Sequence, residues 1–212
     1  QTLATIKSVR ERNPDAKVIA VELAGVSPTD DQRKIMEDNL DVYVDLSTDE
    51  NVRAIYNSTD NWDIVKSSTE VMGFSNALQQ LLTAGELEGI DRVFKLSGRY
   101  LLSDDFKLKK FELLKDRIVV ADRRQSQFGP NVTGGISQQY MSRLWSWPAD
   151  QTQTVIDTYQ EGLVFIAEVF ASGGYCDIEH MLFKFLPANL VTEVDLVGVQ
   201  GNIAPNGMAI RD

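Results

Sequence analysis

Cys176-Asp177-Ile178-Glu179-His180 gathers two carboxylates and the chain's single histidine within five positions. Asp177 and Glu179 stand two apart at a helix start, behind the flexible pair Gly173-Gly174. Either carboxylate could act as a general base, with His180 assisting it or binding a metal. The plainer reading of the same residues is a helix N-terminus with dipole-favoured acids and a surface histidine. A second cluster lies in FKLSGRYLLSDDF, from Phe94 to Phe106, where an apolar run breaks at Ser97-Gly98-Arg99-Tyr100. Gly98 lets backbone approach a ligand closely. Arg99 offers a planar fork of donors for phosphate or carboxylate, and Lys95 a compact positive charge. Tyr100 could stack on a ring, and Asp104-Asp105 could give oxygen ligands to a divalent cation. Alternatively, Lys95 and Arg99 pair with the plentiful acids around them, and the two aspartates are simply solvated.

Two further stretches carry possible chemistry. Lys66-Ser67-Ser68-Thr69-Glu70 matches a capping box, Ser67 with Glu70 three residues on. A helix N-terminus there, preceded by a lysine, would attract anions, although plain capping of a surface helix explains it as well. Trp145 and Trp147 could form an aromatic wall for a sugar, or pack in the core.

The elements that must position these residues alternate between helical and strand periods. Leu3, Ile6 and Val9 predict a helix ended at Asn13-Pro14. Lys17 to Leu23 reads as a buried strand, and Asp41 to Leu46 as a half-buried one. A helix opening at Ser67 carries Val71, Phe74, Leu78, Leu81 and Leu82 to Gly85, which is placed to end it. Arg92 to Leu96 and Ile118 to Ala121 are strands, with a helix over Phe106 to Lys115 between them. After a loop from Arg123 to Ser137, helices are expected over Thr152 to Ala171 and Ile178 to Phe185, then a strand near Val194 to Val199. This order predicts a single α/β domain over residues 1–212, with a three-layer, mostly parallel sheet covered on both faces. Such a sheet normally opens on a strand, whereas this sequence opens on a helix. A first strand is therefore expected ahead of Leu3, outside these 212 residues.

Composition narrows the function classes. Thirty-one acidic against 21 basic side chains give a formal net charge of -10, which opposes a general nucleic-acid or anionic-membrane surface. The lone Cys176 forbids an internal disulfide, so nothing points to an oxidising compartment, and a cytoplasmic location is expected. One cysteine and one histidine also make a structural zinc site unsuitable. No apolar stretch is long enough to span a bilayer. No nucleophile elbow, P-loop or dinucleotide fingerprint occurs.

The run from Lys66 through the helix to Ala84-Gly85-Glu86, then the strand Val93 to Leu96 and its polar break, resembles the nucleotide-sugar half of GT-A glycosyltransferases. FKLSGRY is similar to a segment of poorly characterised bacterial and viral glycosyltransferases, as are Ile178-Glu179-His180 and Val199 to Gly207. The resemblance implies a Rossmann-like GT-A fold that moves a sugar from a nucleotide-sugar donor to a glycan or other hydroxyl acceptor. Lys66, Glu70, Lys95, Ser97, Gly98, Arg99 and Tyr100 would lie at the donor. Asp177 or Glu179, assisted by His180, would deprotonate the acceptor. The family's Asp-x-Asp metal motif is replaced here by Ser97-Gly98-Arg99-Tyr100, which puts a manganese or magnesium requirement in doubt. Lys95 and Arg99 could instead neutralise the diphosphate directly. A non-catalytic nucleotide- or carbohydrate-binding module, and another Rossmann-like transferase, are the alternatives.

Overall fold

The computed structural model describes residues 1–203 and 207–212. Ala204, Pro205 and Asn206, within the Val199 to Gly207 segment, lie outside the described residues. Helix α1 (Thr2–Arg12) ends at Asn13 and leads to strand β1 (Ile19–Glu22). Helix α2 (Asp30–Glu37) follows, opened by a Thr29/Gln32 capping box, then β2 (Val42–Asp45). Asp49 caps α3 (Glu50–Ser58), and Asn61 caps the long α4 (Trp62–Thr83). Because α4 already starts at Trp62, the expected helix start at Ser67 is displaced by more than a turn. Ser67 and Thr69 are buried on its inner side rather than capping it. Gly85, with φ +72°, takes the left-handed conformation just past the helix end that only glycine adopts cheaply.

Next come β3 (Arg92–Leu96), β4 (Leu101–Leu102), α5 (Leu108–Leu113) and β5 (Ile118–Ala121). The short strands β6 (Arg124–Gln125) and β7 (Gln138–Gln139) pair antiparallel within the expected loop region. Strand β8 (Leu144–Pro148) precedes α6 (Thr152–Ala171) and α7 (Ile178–Phe185), both with the bounds expected from sequence. The chain closes on β9 (Val191–Val194), β10 (Val199–Ile203) and β11 (Met208–Arg211). The strand expected near Val194 to Val199 is instead a break between β9 and β10. Gly198 sits in it at φ +91°, where an added Cβ would lie 2.3 Å from the Phe106 backbone nitrogen.

The expected mostly parallel, three-layer sheet is not what forms. The strands divide among four small sheets: parallel β1-β2, mixed β3-β8-β5-β9, antiparallel β11-β10-β4 and the β6-β7 pair. The physical reason lies in β8, a Trp-Ser-Trp strand that enters between β3 and β5 and runs antiparallel to both. Only β5 and β9 remain parallel in that sheet. On one side of it Ile118, Val120, Trp145 and Trp147 pack with α4, α6 and α7. On the other, Val119, Leu144 and Phe94 pack with Tyr100, Phe106 and Phe111. Trp145 and Trp147 are fully buried, their rings 4.6 Å apart. They serve as core rather than as a sugar wall, and truncating either would cost about 3–5 kcal/mol.

Candidate functional site

Site residues converge where β3 ends. Lys95 and Trp145 are directly opposed across the β3-β8 pair and so share the face covered by α4. There the Lys95 ammonium lies 3.1 Å from Glu70 Oε1, on α4, and donates to the Ser142 carbonyl at 2.9 Å. Its side chain is only 9% exposed. The acid-pairing reading therefore holds for Lys95, whose charge is already compensated.

A cavity of about 1410 Å³ opens beside this pair, lined by Lys66, Glu70, Lys95, Ser97, Gly98 and Arg99 among others. Lys66 is one helical turn ahead of Glu70 and exposed. Arg99 is exposed at the bend after β3, without an ion-pair partner among the described residues, as is Lys66. Ser97 N–H donates to the Arg143 carbonyl at 2.9 Å, and the Gly98 carbonyl accepts from Thr5 Oγ1 of α1 at 3.1 Å. These bonds fix the bend and leave Arg99 free to reach an anion. Tyr100 turns the other way: it is 6% exposed, its ring lies 5.6 Å from the Arg143 guanidinium, and it belongs to the core below the sheet.

The acids of α7 take different roles. Asp177 is the helix N-cap and accepts from His180 N–H at 3.1 Å. Its Oδ1 also lies 2.6 Å from His180 Nδ1, and its Oδ2 accepts from Tyr175 O–H at 3.1 Å. Burial pushes the Asp177 pKa up, but the hydrogen bonds and charge of His180, with Tyr175, leave it below the usual value. His180 is 1% exposed rather than at the surface, and its Nε2 lies 2.8 Å from Ser126 Oγ. Both residues thus pin the start of α7 to the β6-β7 segment.

Glu179 is the odd one out. Its Oε1 accepts from Ser142 Oγ at 2.6 Å, and its carbonyl accepts from Tyr140 N–H at 3.1 Å. Burial and then the Asp177 charge raise its pKa, with Glu70 adding to the rise while Ser142 and Lys95 oppose it. A carboxylate in this setting is a stronger base than one in water. Gly162 positions the helix that carries it. An added Cβ there would lie 2.1 Å from Met181 Cγ, so α6 and α7 meet more closely than any other residue allows.

Three buried polar atoms border this group without a hydrogen-bond partner among the described residues: Thr69 Oγ1, Trp145 Nε1 and Tyr159 O–H. Thr69 lines the cavity, and burial, with the charges of Glu70 and Glu179 adding to it, raises the phenol pKa of Tyr159. Thr69 and Trp145 fall in stretches that the sequence singles out for other reasons, whereas Tyr159, Ser142 and Ser126 do not stand out as site residues, because lone hydroxyls carry no spacing signal.

Asp104 and Asp105 do not fit a metal site. Asp104 pairs with Arg12 and Asp105 with Arg211, so neither carboxylate is aimed at an open coordination position. Among the described residues no cluster of three or more His, Cys, Asp or Glu side chains could hold an ion. No protein-family model matches the chain, and no curated protein matches it.

Proposed function

We propose that the chain transfers a glycosyl group from a nucleotide-activated donor to a hydroxyl acceptor, with Glu179 as general base. The observation that carries this reading is the buried Glu179 carboxylate, joined through Ser142 to Lys95, which lines a cavity that also bears Lys66 and Arg99, neither of them ion-paired among the described residues. Burial and the Asp177 charge raise its basicity. The acceptor O–H proton passes to the Glu179 carboxylate as its oxygen bonds to the anomeric carbon. The bond from that carbon to the diphosphate breaks, and the diphosphate leaves with the electron pair, neutralised by Lys66 and Arg99. Lys95 and Glu70 orient the floor rather than bind phosphate. The similarity of FKLSGRY to glycosyltransferase segments supports the same class. No helix among the described residues is long and apolar enough to cross a membrane, and the lone Cys176 supports a cytoplasmic location.

The test is turnover of UDP-, GDP-, CDP- and dTDP-sugars, with and without manganese, by the parent chain and by Glu179→Gln and Arg99→Ala. Glu179→Gln should lower kcat by about 10²–10⁴-fold with little change in donor affinity. Arg99→Ala should weaken donor binding. Undiminished turnover in Glu179→Gln removes the base assignment. The compensated Lys95 favours one second reading, a non-catalytic binding module, in which a nucleoside diphosphate raises Tm but no sugar is transferred.

A further inference from the structure

Strands β1 and β3 have interior sequences, yet each stands at the end of its sheet. Val18-Ile19-Ala20-Val21 is the continuous apolar run of a strand flanked on both edges, and in β3 Val93, Phe94 and Leu96 are apolar while the Lys95 charge is paired inward with Glu70. An apolar open edge invites aggregation, and neither strand carries the proline or bulge that usually protects one.

The directions of the backbone groups can be followed along both strands. The Val18 carbonyl accepts from Asp41 N–H and the Glu22 carbonyl from Leu46 N–H, each at 2.9 Å, on the β2 side. By alternation, Ile19 and Val21 turn their N–H and C=O to the opposite edge. In β3, the Asp91 carbonyl accepts from Ala149 at 3.0 Å and Ser97 N–H donates to Arg143 at 2.9 Å, on the β8 side. Arg92, Phe94 and Leu96 therefore direct their backbone groups away from β8. Among the described residues no backbone hydrogen bond joins β1 to β3, and both strands line the one cavity of about 1410 Å³. Phe74, Leu78 and Leu81 of α4 line one side of it, and Ile6, Val9 and Phe111 another.

We propose that this cavity is a strand-acceptor slot, filled by one extended apolar segment of about five residues that joins the chain ahead of α1. A polypeptide backbone is the ligand that satisfies two facing strand edges at once. With a rise of about 3.3 Å, a strand spacing of about 4.8 Å and a layer of about 10 Å, five residues need roughly 800 Å³, which the cavity holds with its polar mouth to spare. Both faces of the occupant meet apolar side chains, so its sequence is apolar throughout. Charge sets its direction. Glu86, Asp91, Glu112, Asp116 and Asp150 line the cavity near the start of β3, against Lys17, Arg92 and Lys115, with Glu86 already paired to Lys17, so acids still prevail there. A basic residue at the start of the segment suits that end.

The connection follows from α1. Its first turn lies at the other end of β3, where Thr5 Oγ1 donates to the Gly98 and Tyr100 carbonyls at 3.1 and 2.8 Å. A segment running parallel to β3 finishes beside that turn, within reach of a short loop, and α1 then carries the chain over to β1. The segment would take the apolar part of the same cavity that carries Lys66 and Arg99, so the donor of the glycosyl-transfer reading is left its polar mouth. The exchange experiment tests the slot without reading turnover.

The experiment attaches Lys-Val-Val-Ile-Val-Val and a three-residue loop ahead of Gln1, and compares it with a Gly/Ser extension of equal length. Amide exchange is followed residue by residue, together with Tm. The apolar extension should slow the Ile19, Val21, Phe94 and Leu96 amides at least tenfold and raise Tm, while the Gly/Ser extension should do neither. Equal exchange in the two extended chains overturns the proposal. So does full protection of those four amides in the unextended chain, which would mean that the slot is already closed. Protection that grows with protein concentration, alongside a dimer in sedimentation, would assign the slot to a second copy and overturn it equally.

Discussion

Glu179 Oε1 accepts a 2.6 Å hydrogen bond from Ser142 Oγ, while the carbonyl of that serine receives the Lys95 ammonium at 2.9 Å. Ser142, two positions ahead of β8, therefore touches the proposed base with its side chain and the buried cation with its backbone. The two contacts are separable by mutation, since only the first depends on the hydroxyl.

Ser142→Ala should keep the Lys95 contact and remove the bond that holds the Glu179 pKa down. The loss is worth about 1 kcal/mol. The acid-side limb of the pH profile of kcat/KM should move to higher pH, because Glu179 then ionises later. A profile that does not move would show that Ser142 merely packs beside the base.

Glu179→Gln should stabilise the folded chain at pH 7 even as it removes turnover. The folded pKa of Glu179 lies above its ordinary 4.5. Its contribution to stability is therefore present below that ordinary value and lost as pH rises through the folded one. At neutral pH the parent carries a half-buried charge that glutamine lacks. The Tm advantage of the variant should shrink as pH falls toward 4, which thermal melts at several pH values would follow. A variant less stable than the parent at pH 7 would mean that Ser142 and Lys95 outweigh burial.

Lys95→Met leaves the Glu70 carboxylate stranded on the inner side of α4. Removing one partner of a buried pair costs more than the pair contributes. Glu70 keeps 29% of its side-chain surface, which moderates the expected loss to about 2 kcal/mol. Adding Glu70→Gln should recover a large part of it, a coupling that a double-mutant cycle in urea measures. If the second change recovers nothing, the contact with the Ser142 carbonyl is the one that matters.

Gly162→Ala tests whether helix contact sets the site. The added methyl falls on Met181 Cγ, an overpacking expected to cost about 1–3 kcal/mol. Because α7 carries Glu179, kcat should fall well beyond what the loss of folded protein explains. Full specific activity in the folded fraction would show that α7 repacks without moving its first turn.

Sequence periodicity captured α6 and α7 because long apolar faces and a Gly-Gly break leave little freedom. It also placed β1, β2, β3 and β5, whose apolar runs are short but bounded by polar turns. Strand β8 escaped because Trp145 and Trp147 read in sequence as a sugar wall or as core residues, and neither reading assigns them to a strand. That one strand, running antiparallel between β3 and β5, overturned the expectation of a mostly parallel sheet. Helices α2 and α3 were missed for want of apolar periodicity, and their capping residues Thr29 and Asp49 were the legible signal. At the site, Glu179, Asp177, His180, Lys95 and Glu70 were all visible as residue types. Their division of labour was not, since it depends on Ser142, Ser126 and Tyr175, which lie far off in sequence or carry no pattern.

Of the chain's three tryptophans, Trp145 and Trp147 are fully buried, whereas Trp62 is 62% exposed on the lining of the cavity, 6.3 Å from Tyr56. The molecule thus carries its own optical reporter. Acrylamide should quench one long-wavelength emitter and spare two short-wavelength ones. Any ligand that settles against the first turn of α4 should announce itself in that single component of the fluorescence.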